Sequence, residues 1–277
     1  MVKAAKILVI LGPTAVGKTD LGIKLAKKFN GELVACDSRQ VYTGLDIGTA
    51  KYSPNNTFKK FKGRWLLNDV WIHGYDLVGP NKQFTAADYA KFFAKTVKKI
   101  LEKGKLPILV GGTGFYLKAA LEGFETLGIP PNKKLRKELE NLTAGELFRK
   151  LLEVNPDKAK TLSPAEAANP QRLIRAIEVA NFLKSHPHTV SMYPYMVEEK
   201  IDTLKIGLTA PRKILYEMID KRVDKRIGMG LINEVSNLLR KGAAKKLKKF
   251  GLEYKYITEI VMDGLKKDEA ISKLKFA

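Results

Sequence analysis

The amino-acid sequence predicts an α/β fold, in which helices flank a parallel sheet and a small helical domain is inserted. Two observations predict it. Short apolar runs at 7–11, 32–36 and 107–110 are typical of strands that are buried on both faces of a parallel sheet. A glycine-rich stretch joins the first of these runs directly to a segment with helical spacing of its apolar residues.

The glycine-rich stretch spans residues 12–19 and reads GxxxxGK followed by threonine. Between a strand and a helix, this pattern predicts a phosphate-binding P-loop whose backbone N–H groups turn inward onto an anion. The helix N-terminus adds its dipole, Lys18 adds a mobile charge, and the Thr19 hydroxyl is a candidate Mg²⁺ ligand. We therefore expect a P-loop NTPase-like core with a phosphate or diphosphate site formed by Gly12, Thr14, Ala15, Val16, Gly17, Lys18 and Thr19.

Asp37 follows the second apolar run, and a second glycine turn, 111–114, follows the third. Carboxyl ends of parallel strands meet at one edge of a sheet, so both are expected beside the P-loop. ATP- and GTP-using P-loop proteins also carry an Asp for Mg²⁺ at the end of a second strand. Here the strand at 107–110 ends in glycines instead. Asp37 therefore remains a candidate Mg²⁺ ligand, kinase base, other general base or loop-capping residue.

The rest of the chain divides into strand-containing and purely helical parts. Residues 124–168 carry several helix starts and no strand signal, which predicts a helical insertion between two parts of a core, 1–123 and 169–277. Residues 53–68 are polar and basic and are expected to form a mobile surface segment. The other predicted elements are strands at 70–77 and 204–208 and helices at 85–103, 171–179, 212–226, 231–241, 252–262 and 268–275.

Composition narrows the choice of partners. Fifty Lys and Arg against 29 Asp and Glu give a net charge of +21, which attracts polyanions, first of all nucleic acid and then anionic membranes. A lysine-rich composition that merely solvates the surface is the alternative. One cysteine, Cys36, excludes a disulfide within the chain, and there is neither an apolar run of membrane-spanning length nor a signal-peptide pattern. We expect a cytoplasmic monomer without a membrane partner.

An ordered set of motifs resembles the tRNA dimethylallyltransferases, the tRNA isopentenyltransferase family. The similarity spans about residues 6–260. Apart from the P-loop each motif is weak alone, but their order is specific. The motifs are Asp37-Ser38-x-Gln40-Val41-Tyr42, Asp46-Ile47-Gly48-Thr49-Ala50-Lys51, Gly111-Gly112-Thr113-Gly114-Phe115-Tyr116, Gln171-Arg172-x-x-Arg175-Ala176-x-Glu178-Val179, Arg222-Val223-Asp224 and Gly230-Leu231-Ile232-x-Glu234-Val235.

The resemblance implies a reaction and roles for individual residues. The family transfers a dimethylallyl group from dimethylallyl diphosphate to the N6 amine of the adenosine beside the anticodon. By this resemblance Asp37 is the general base, Thr113 bonds the bridging oxygen, and Lys18, Arg222 and Mg²⁺ neutralise the leaving diphosphate. The helical insertion is expected to contact tRNA. The implied tRNA-binding residues are Asp37, Ser38, Arg39, Gln40, Thr113, Gln171, Arg172, Leu173, Ile174 and Arg175.

The sequence departs from the family pattern in three places. Ala168-Asn169 stands where Asn-Asp is usual, Ile72-His73 replaces a histidine pair, and the printed sequence ends at Ala277 without the usual basic, aromatic segment. Three other functions stay open at this stage: a small-molecule or nucleoside kinase, an isopentenyltransferase acting on free adenine nucleotides, and a non-catalytic RNA-binding protein.

Overall fold

The computed structural model describes residues 5–124, 126–186 and 201–276. It divides into two compact units, one formed by residues 1–122 and 195–277 and the other by residues 123–194. The strands are β1 (Ala5–Leu11), β2 (Gly31–Cys36), β3 (Phe58–Phe61), β4 (Arg64–Leu67), β5 (Val70–His73), β6 (Leu106–Gly111) and β7 (Ile201–Gly207).

Helices α1–α3 and α9–α13 belong to the first unit, and α4–α8 belong to the second. Within the described ranges, none of them combines the length and apolar character that crossing a bilayer requires. The helices are α1 (Lys18–Phe29), α2 (Ala86–Glu102), α3 (Gly114–Leu121), α4 (Lys133–Leu139), α5 (Ala144–Val154), α6 (Pro156–Lys160), α7 (Pro164–Ala167), α8 (Pro170–Ser185), α9 (Arg212–Gly228), α10 (Leu231–Arg240), α11 (Ala244–Leu247), α12 (Leu252–Asp263) and α13 (Lys267–Phe276).

The described strands form one seven-stranded sheet in the order β3-β4-β5-β2-β6-β1-β7. Strands β5, β2, β6, β1 and β7 are parallel, and β3 and β4 are antiparallel additions at one edge. The central strands β1, β2 and β6 are buried almost throughout, which explains their continuous apolar sequences. The predicted α/β fold is confirmed. Because Cys36 pairs with Gly111, the ends of β2 and β6 lie side by side.

Residues 53–68 differ from the expectation of a mobile surface segment, because β3 and β4 form a hairpin within them. Trp65 and Leu67 point into the core and are 0% and 1% exposed, whereas all four residues of β3 are exposed. Gly63, with a φ of 82°, provides the turn. Burial alternates along β4 with the period of two that is typical of a strand. The neighbouring lysines obscure this period in the sequence.

The second unit is larger than the insertion predicted at 124–168. Helix α8, which was expected in the core, packs on α5 and belongs to the second unit, which extends to residue 194. The reason is a shared apolar cluster in which Leu173 and Ile177 of α8 contact the leucines of α5 and neighbouring helices. The predicted boundary at residue 168 is therefore wrong, since the beginning of a helix does not reveal which core its apolar face joins.

Candidate active site

The P-loop connects β1 to α1 and has the backbone that its sequence predicts. Gly12 has a φ of 146°, and a Cβ atom there would lie 2.5 Å from the carbonyl oxygen of Leu208. Gly17 is in the left-handed region with a φ of 81° and precedes the first residue of α1. Lys18 Nζ donates hydrogen bonds to the carbonyl oxygens of Gly12 (2.9 Å) and Pro13 (2.5 Å). The lysine thus folds back over the loop, where it can reach an anion held by the backbone.

Asp37 lies directly beyond the end of β2. Its Oδ1 accepts hydrogen bonds from the backbone N–H groups of Arg39 (2.7 Å) and Gln40 (3.4 Å). Among the described residues, its second oxygen has no hydrogen-bond partner. The loop-capping interpretation and the general-base interpretation are therefore compatible, because one oxygen fixes the carboxylate and the other remains available to a substrate.

Thr113 is tied to the same turn. A Cβ atom at Gly111 would lie 2.1 Å from the Cys36 carbonyl oxygen, so glycine allows the ends of β6 and β2 to approach closely. The backbone N–H of Thr113 donates to Cys36 O (3.2 Å), and Thr113 Oγ1 accepts the backbone N–H of Ser38 (3.1 Å). These bonds place the Thr113 hydroxyl beside the turn that orients Asp37.

A cavity of about 760 Å³ brings these groups together with α9. It unites the P-loop, the turn after β2, the glycine turn after β6 and a cationic face of α9. Of the predicted catalytic residues, Lys18, Asp37, Thr113 and Arg222 all line it, as does Thr19. From α9 and its end, the lining residues are Met218, Lys221, Arg222, Lys225, Arg226 and Met229.

The cations of this cavity repel one another. Burial lowers the pKa of Lys18, the charge of Arg222 lowers it further, and Asp37 partly offsets both effects. The pKa of Arg222 falls to about 10 because of burial and the neighbouring Arg226, against opposing effects of Glu253 and Asp37. A bound anion would relieve this repulsion. The cavity is therefore suited electrostatically to phosphate or diphosphate.

Comparison with known proteins identifies the family to which this chain belongs. The family model described as IPP transferase matches residues 40–277. A tRNA dimethylallyltransferase from Pelotomaculum thermopropionicum is 38% identical over 279 residues, which cover 99% of this chain and 84% of that protein. This chain belongs to the IPP transferase family. The resemblance seen in the motifs is confirmed, and the chain is an enzyme of the transferase class.

Solved structures of IPP transferases agree with this assignment. The full-length tRNA isopentenylpyrophosphate transferase from Bacillus halodurans is 32% identical, with a TM-score of 0.65 over 99% of this chain and 82% of that one. A eukaryotic dimethylallyltransferase acting on tRNA is 22% identical, with a TM-score of 0.76 over 99% of this chain and 67% of that one, and it shares the fold. Membership in this family supports the prenyl-transfer interpretation and gives no support to the kinase alternative.

The loop at 46–51, one of the family motifs, acts as scaffold behind the site. A carboxylate from α10, Glu234, accepts the backbone N–H groups of Asp46 (3.0 Å), Ile47 (2.7 Å) and Gly48 (3.1 Å). Lys51 is completely buried, and its Nζ donates to Tyr42 O, Asp46 Oδ1 and Asp76 Oδ1. The amide Nε2 of Gln40 donates to Thr49 O (2.9 Å). These bonds fix the loop against the turn that carries Asp37.

The residues 171–175, expected to bind tRNA, lie in the second unit and differ in their accessibility. Gln171 is exposed, and Arg172 is 60% exposed and pairs with Glu166 (2.6 Å). Leu173 is completely buried in the apolar cluster, and Ile174 packs against it. Because the period of α8 turns the Leu173 side chain into the core, the tRNA contact expected at this position stays a prediction that only the backbone could fulfil.

Arg175 is held within the second unit. Its guanidinium donates to the carbonyl oxygens of Thr126 (2.9 Å) and Ile129 (2.8 Å) and pairs with Glu178. The neighbouring Arg136 also pairs with the buried Glu178. These arginines connect α4, α8 and the preceding loop, so their first role is in the fold of this unit.

Sequence reasoning missed Arg226 and Glu253. Arg226 lines the cavity although it is 3% exposed, and its guanidinium pairs with Glu253 of α12. A signal for Arg226 was present, because it follows Arg222 by four residues and therefore lies on the same face of α9. Nothing in the sequence near Glu253 indicates a pairing across 27 residues.

Proposed function

We propose that this IPP transferase transfers a dimethylallyl group from dimethylallyl diphosphate to the N6 amine of the adenosine beside the anticodon of tRNA. A bond forms between N6 and the allylic carbon, the bond from that carbon to the diphosphate oxygen breaks, and N6 loses a proton. One observation carries the proposal: a carboxylate with an available oxygen lies in the same cavity as a P-loop and a cationic helix face.

The cavity offers the donor both polar and apolar surfaces. The backbone of the P-loop, Lys18 and Arg222 are placed to bind the diphosphate. Apolar side chains line the same cavity and can receive the branched five-carbon chain. These are Ile47, Leu67, Val110, Met218 and Met229. An amphiphilic ligand thus suits this lining better than a nucleoside triphosphate does.

Asp37 and Thr113 have complementary tasks in this proposal. Adenine N6 is a weak nucleophile because its lone pair is delocalised into the ring, so removal of its proton assists attack. The second carboxylate oxygen of Asp37 is available for that proton. Thr113 Oγ1 already accepts the N–H of Ser38, so its own O–H remains free to donate to the bridging oxygen of the donor.

Magnesium is part of the proposal, with Thr19 as its protein ligand. Among the described residues no group of three or more His, Cys, Asp or Glu could hold a metal ion. Mg²⁺ commonly binds one or two protein oxygens together with substrate phosphates and water, so the Thr19 hydroxyl beside a bound diphosphate fits. There the ion would neutralise charge on the diphosphate.

The tRNA partner is supported by charge on both units. In the first unit, Arg64 of β4 pairs with His73 at the carboxyl end of β5, which places the hairpin turn at the edge of the sheet where Asp37 lies. A groove of about 530 Å³ runs there and includes Lys60, Lys62 and Lys82. In the second unit, α4 exposes Lys133, Lys134 and Lys137, whereas Arg136 holds Glu178.

The target base must leave its stack to reach the cavity, as in other enzymes that modify bases. Ser38, Arg39 and Gln40 remain the proposed contacts to it, and Gln171 and Arg172 remain proposed contacts to the tRNA. Because all proposed catalytic groups come from one chain, a monomer suffices. A cytoplasmic location, where tRNA is found, completes the proposal.

Mass spectrometry of nucleosides tests the function directly. Unmodified tRNA is incubated with the enzyme, Mg²⁺ and dimethylallyl diphosphate and then digested. We expect one adenosine to gain an isopentenyl group, and Asp37→Asn should form this product about 10²–10⁴-fold more slowly. AMP and ADP serve as competing acceptors. Preferential modification of AMP or ADP would replace the proposed function by transfer to free nucleotides, and absence of both products would contradict prenyl transfer.

A further inference from the structure

Arg226 is an unusual arginine in the wall of the donor cavity. It is 3% exposed, and within the described structure its Nε and Nη2 atoms have no hydrogen-bond partner. Buried N–H groups without partners are uncommon and costly in free energy, and for a charged group the cost is larger. Packing alone does not account for an arginine here, since an apolar side chain of similar length would fill the same space. A buried charge with unpartnered N–H groups therefore calls for an explanation beyond packing.

Arg226 shares a carboxylate with Arg222, the arginine proposed to bind the donor diphosphate. Glu253 Oε1 pairs closely with Arg226 Nη1, and it lies 3.7 Å from Arg222 Nη2. Both arginines are on α9, one helical turn apart, and Glu253 approaches from α12. Arg226 thus has the close ion pair, and Arg222, which is 31% exposed, has only the longer contact.

We propose that Arg226 is a positioning residue that occupies Glu253 and thereby keeps the Arg222 guanidinium available for the donor diphosphate. The inference rests on the proposed function, because it requires a diphosphate ligand at this site. A carboxylate in a close pair with Arg222 would compete with the diphosphate for the same N–H groups. Glu253 in turn offsets the repulsion between the two guanidinium groups, so that the three side chains together retain one positive charge.

A set of three variants tests this arrangement with inorganic pyrophosphate as the probe. Arg226→Met keeps the length of the side chain and releases Glu253 to Arg222. We expect pyrophosphate affinity to fall about tenfold, with a similar rise in the KM for dimethylallyl diphosphate and a smaller change in kcat. Arg226→Met combined with Glu253→Gln removes the competing carboxylate, so affinity should return to within about threefold of the wild type.

Glu253→Gln alone separates this role from a structural one. We expect pyrophosphate binding at least as tight as in the wild type, together with a lower Tm, because the buried Arg226 loses its ion partner. Arg226→Lys should retain most of the affinity, since a cation still engages Glu253. Lys213→Met removes an exposed charge from α9 outside the cavity and controls for general electrostatics.

The outcomes discriminate clearly. Unchanged affinity in Arg226→Met, or no recovery in the double variant, would overturn the proposal. If Arg226→Met does not fold, weaker pyrophosphate binding in Glu253→Gln would overturn it as well, and retained affinity in Glu253→Gln and Arg226→Lys would support it. If the wild type shows no pyrophosphate binding that depends on Lys18, the donor site itself fails, and the proposed function falls with it.

Discussion

Strand β2 carries one carboxylate at each end, Glu32 near its start and Asp37 directly beyond its end. Glu32 is 1% exposed and receives hydrogen bonds from His73, Lys103 and Lys105. Burial raises its pKa, but these partners outweigh burial and lower the pKa from 4.5 to about 2. Among the described residues, Asp37 accepts hydrogen bonds only from two backbone N–H groups, both at the same oxygen.

The two carboxylates at the ends of β2 therefore differ in role, since one contributes to stability and the other is available for chemistry. At the Glu32 end, the fold supplies the partners of the carboxylate, and the group serves the structure. At the Asp37 end, Lys18 and Arg222 repel each other and one carboxylate oxygen is unengaged, so a ligand completes the site. A bound anion would relieve the repulsion between these cations, and this relief would contribute favourable free energy to anion binding.

Removal of the Asp37 charge should produce the largest effect. Asp37→Asn preserves the size of the side chain and can keep the bonds to the turn, but it removes the proton acceptor. We expect single-turnover transfer to fall by about 10²–10⁴-fold, with pyrophosphate affinity nearly unchanged. The matched variant at the other end of β2, Glu32→Gln, should retain its turnover per folded molecule. Near-normal turnover in Asp37→Asn would remove this residue from the mechanism.

Lys18→Ala should have the next largest effect. Lys18 interacts with a charge that is present in the donor and grows on the leaving group, so both binding and transfer should suffer. We expect kcat/KM for dimethylallyl diphosphate to fall about 10²-fold. The wild type should hydrolyse no appreciable ATP, with or without tRNA. ATP hydrolysis that depends on Lys18 would instead indicate a kinase or an NTPase.

The Glu32 end of β2 should affect how the stability of the protein depends on pH, and it should not affect substrate binding. Because its pKa of about 2 in the folded state lies below its ordinary 4.5, its stabilisation is present above about pH 4.5 and is lost as the pH falls toward 2. His73, whose pKa is lowered by burial against the effect of Glu32, also favours the folded state less in acid. Asp46 and Glu178 also have lowered pKa values, so the contribution of Glu32 is the difference between two proteins. By urea titration, the free energy of unfolding of the wild type should fall by about 2 kcal/mol more than that of Glu32→Gln over this interval, and equal falls would contradict the assignment.

The sequence predicts which residues meet at the Asp37 end of the sheet, because the signals for them are local. The P-loop, Asp37 after β2 and the glycine turn before Thr113 each follow a buried apolar run, and parallel pairing then brings the ends of those runs together. This inference requires only the order of the strands and loops along the chain. The family resemblance supplied the roles of Asp37, Thr113 and Arg222, which spacing alone left open.

The parts that sequence reasoning missed depend on partners distant in the chain. Trp65 of the hairpin donates to Asp76, which also binds the buried Lys51, and no single segment shows that network. Helix α8 was assigned to the wrong unit because the location of its apolar partners in α5 is a tertiary fact. Glu253 reaches Arg226 from another helix for the same reason.

The smallest effect concerns the groove beside the hairpin and separates RNA binding from catalysis. Among the described residues, Lys62 and Lys82 line this groove without an ion pair, whereas Lys60 is paired with Asp46 (2.7 Å). If both contact phosphates, replacing them with glutamine should weaken tRNA binding several-fold and lower the slope of log K against log salt by about one unit per contact. Transfer at saturating tRNA should be unchanged, because neither lysine lines the donor cavity.

Two lysines in the last turn of α1 provide a matched control. Lys27 and Lys28 are exposed at the end of the helix farthest from the P-loop, so glutamine there removes the same charge away from the sheet edge that carries Asp37. Equal losses of affinity and slope in both double variants would show that the net charge of +21 attracts tRNA without a defined path. A loss confined to Lys62 and Lys82 would place the RNA backbone along the hairpin, beside the cavity that we propose receives the target base.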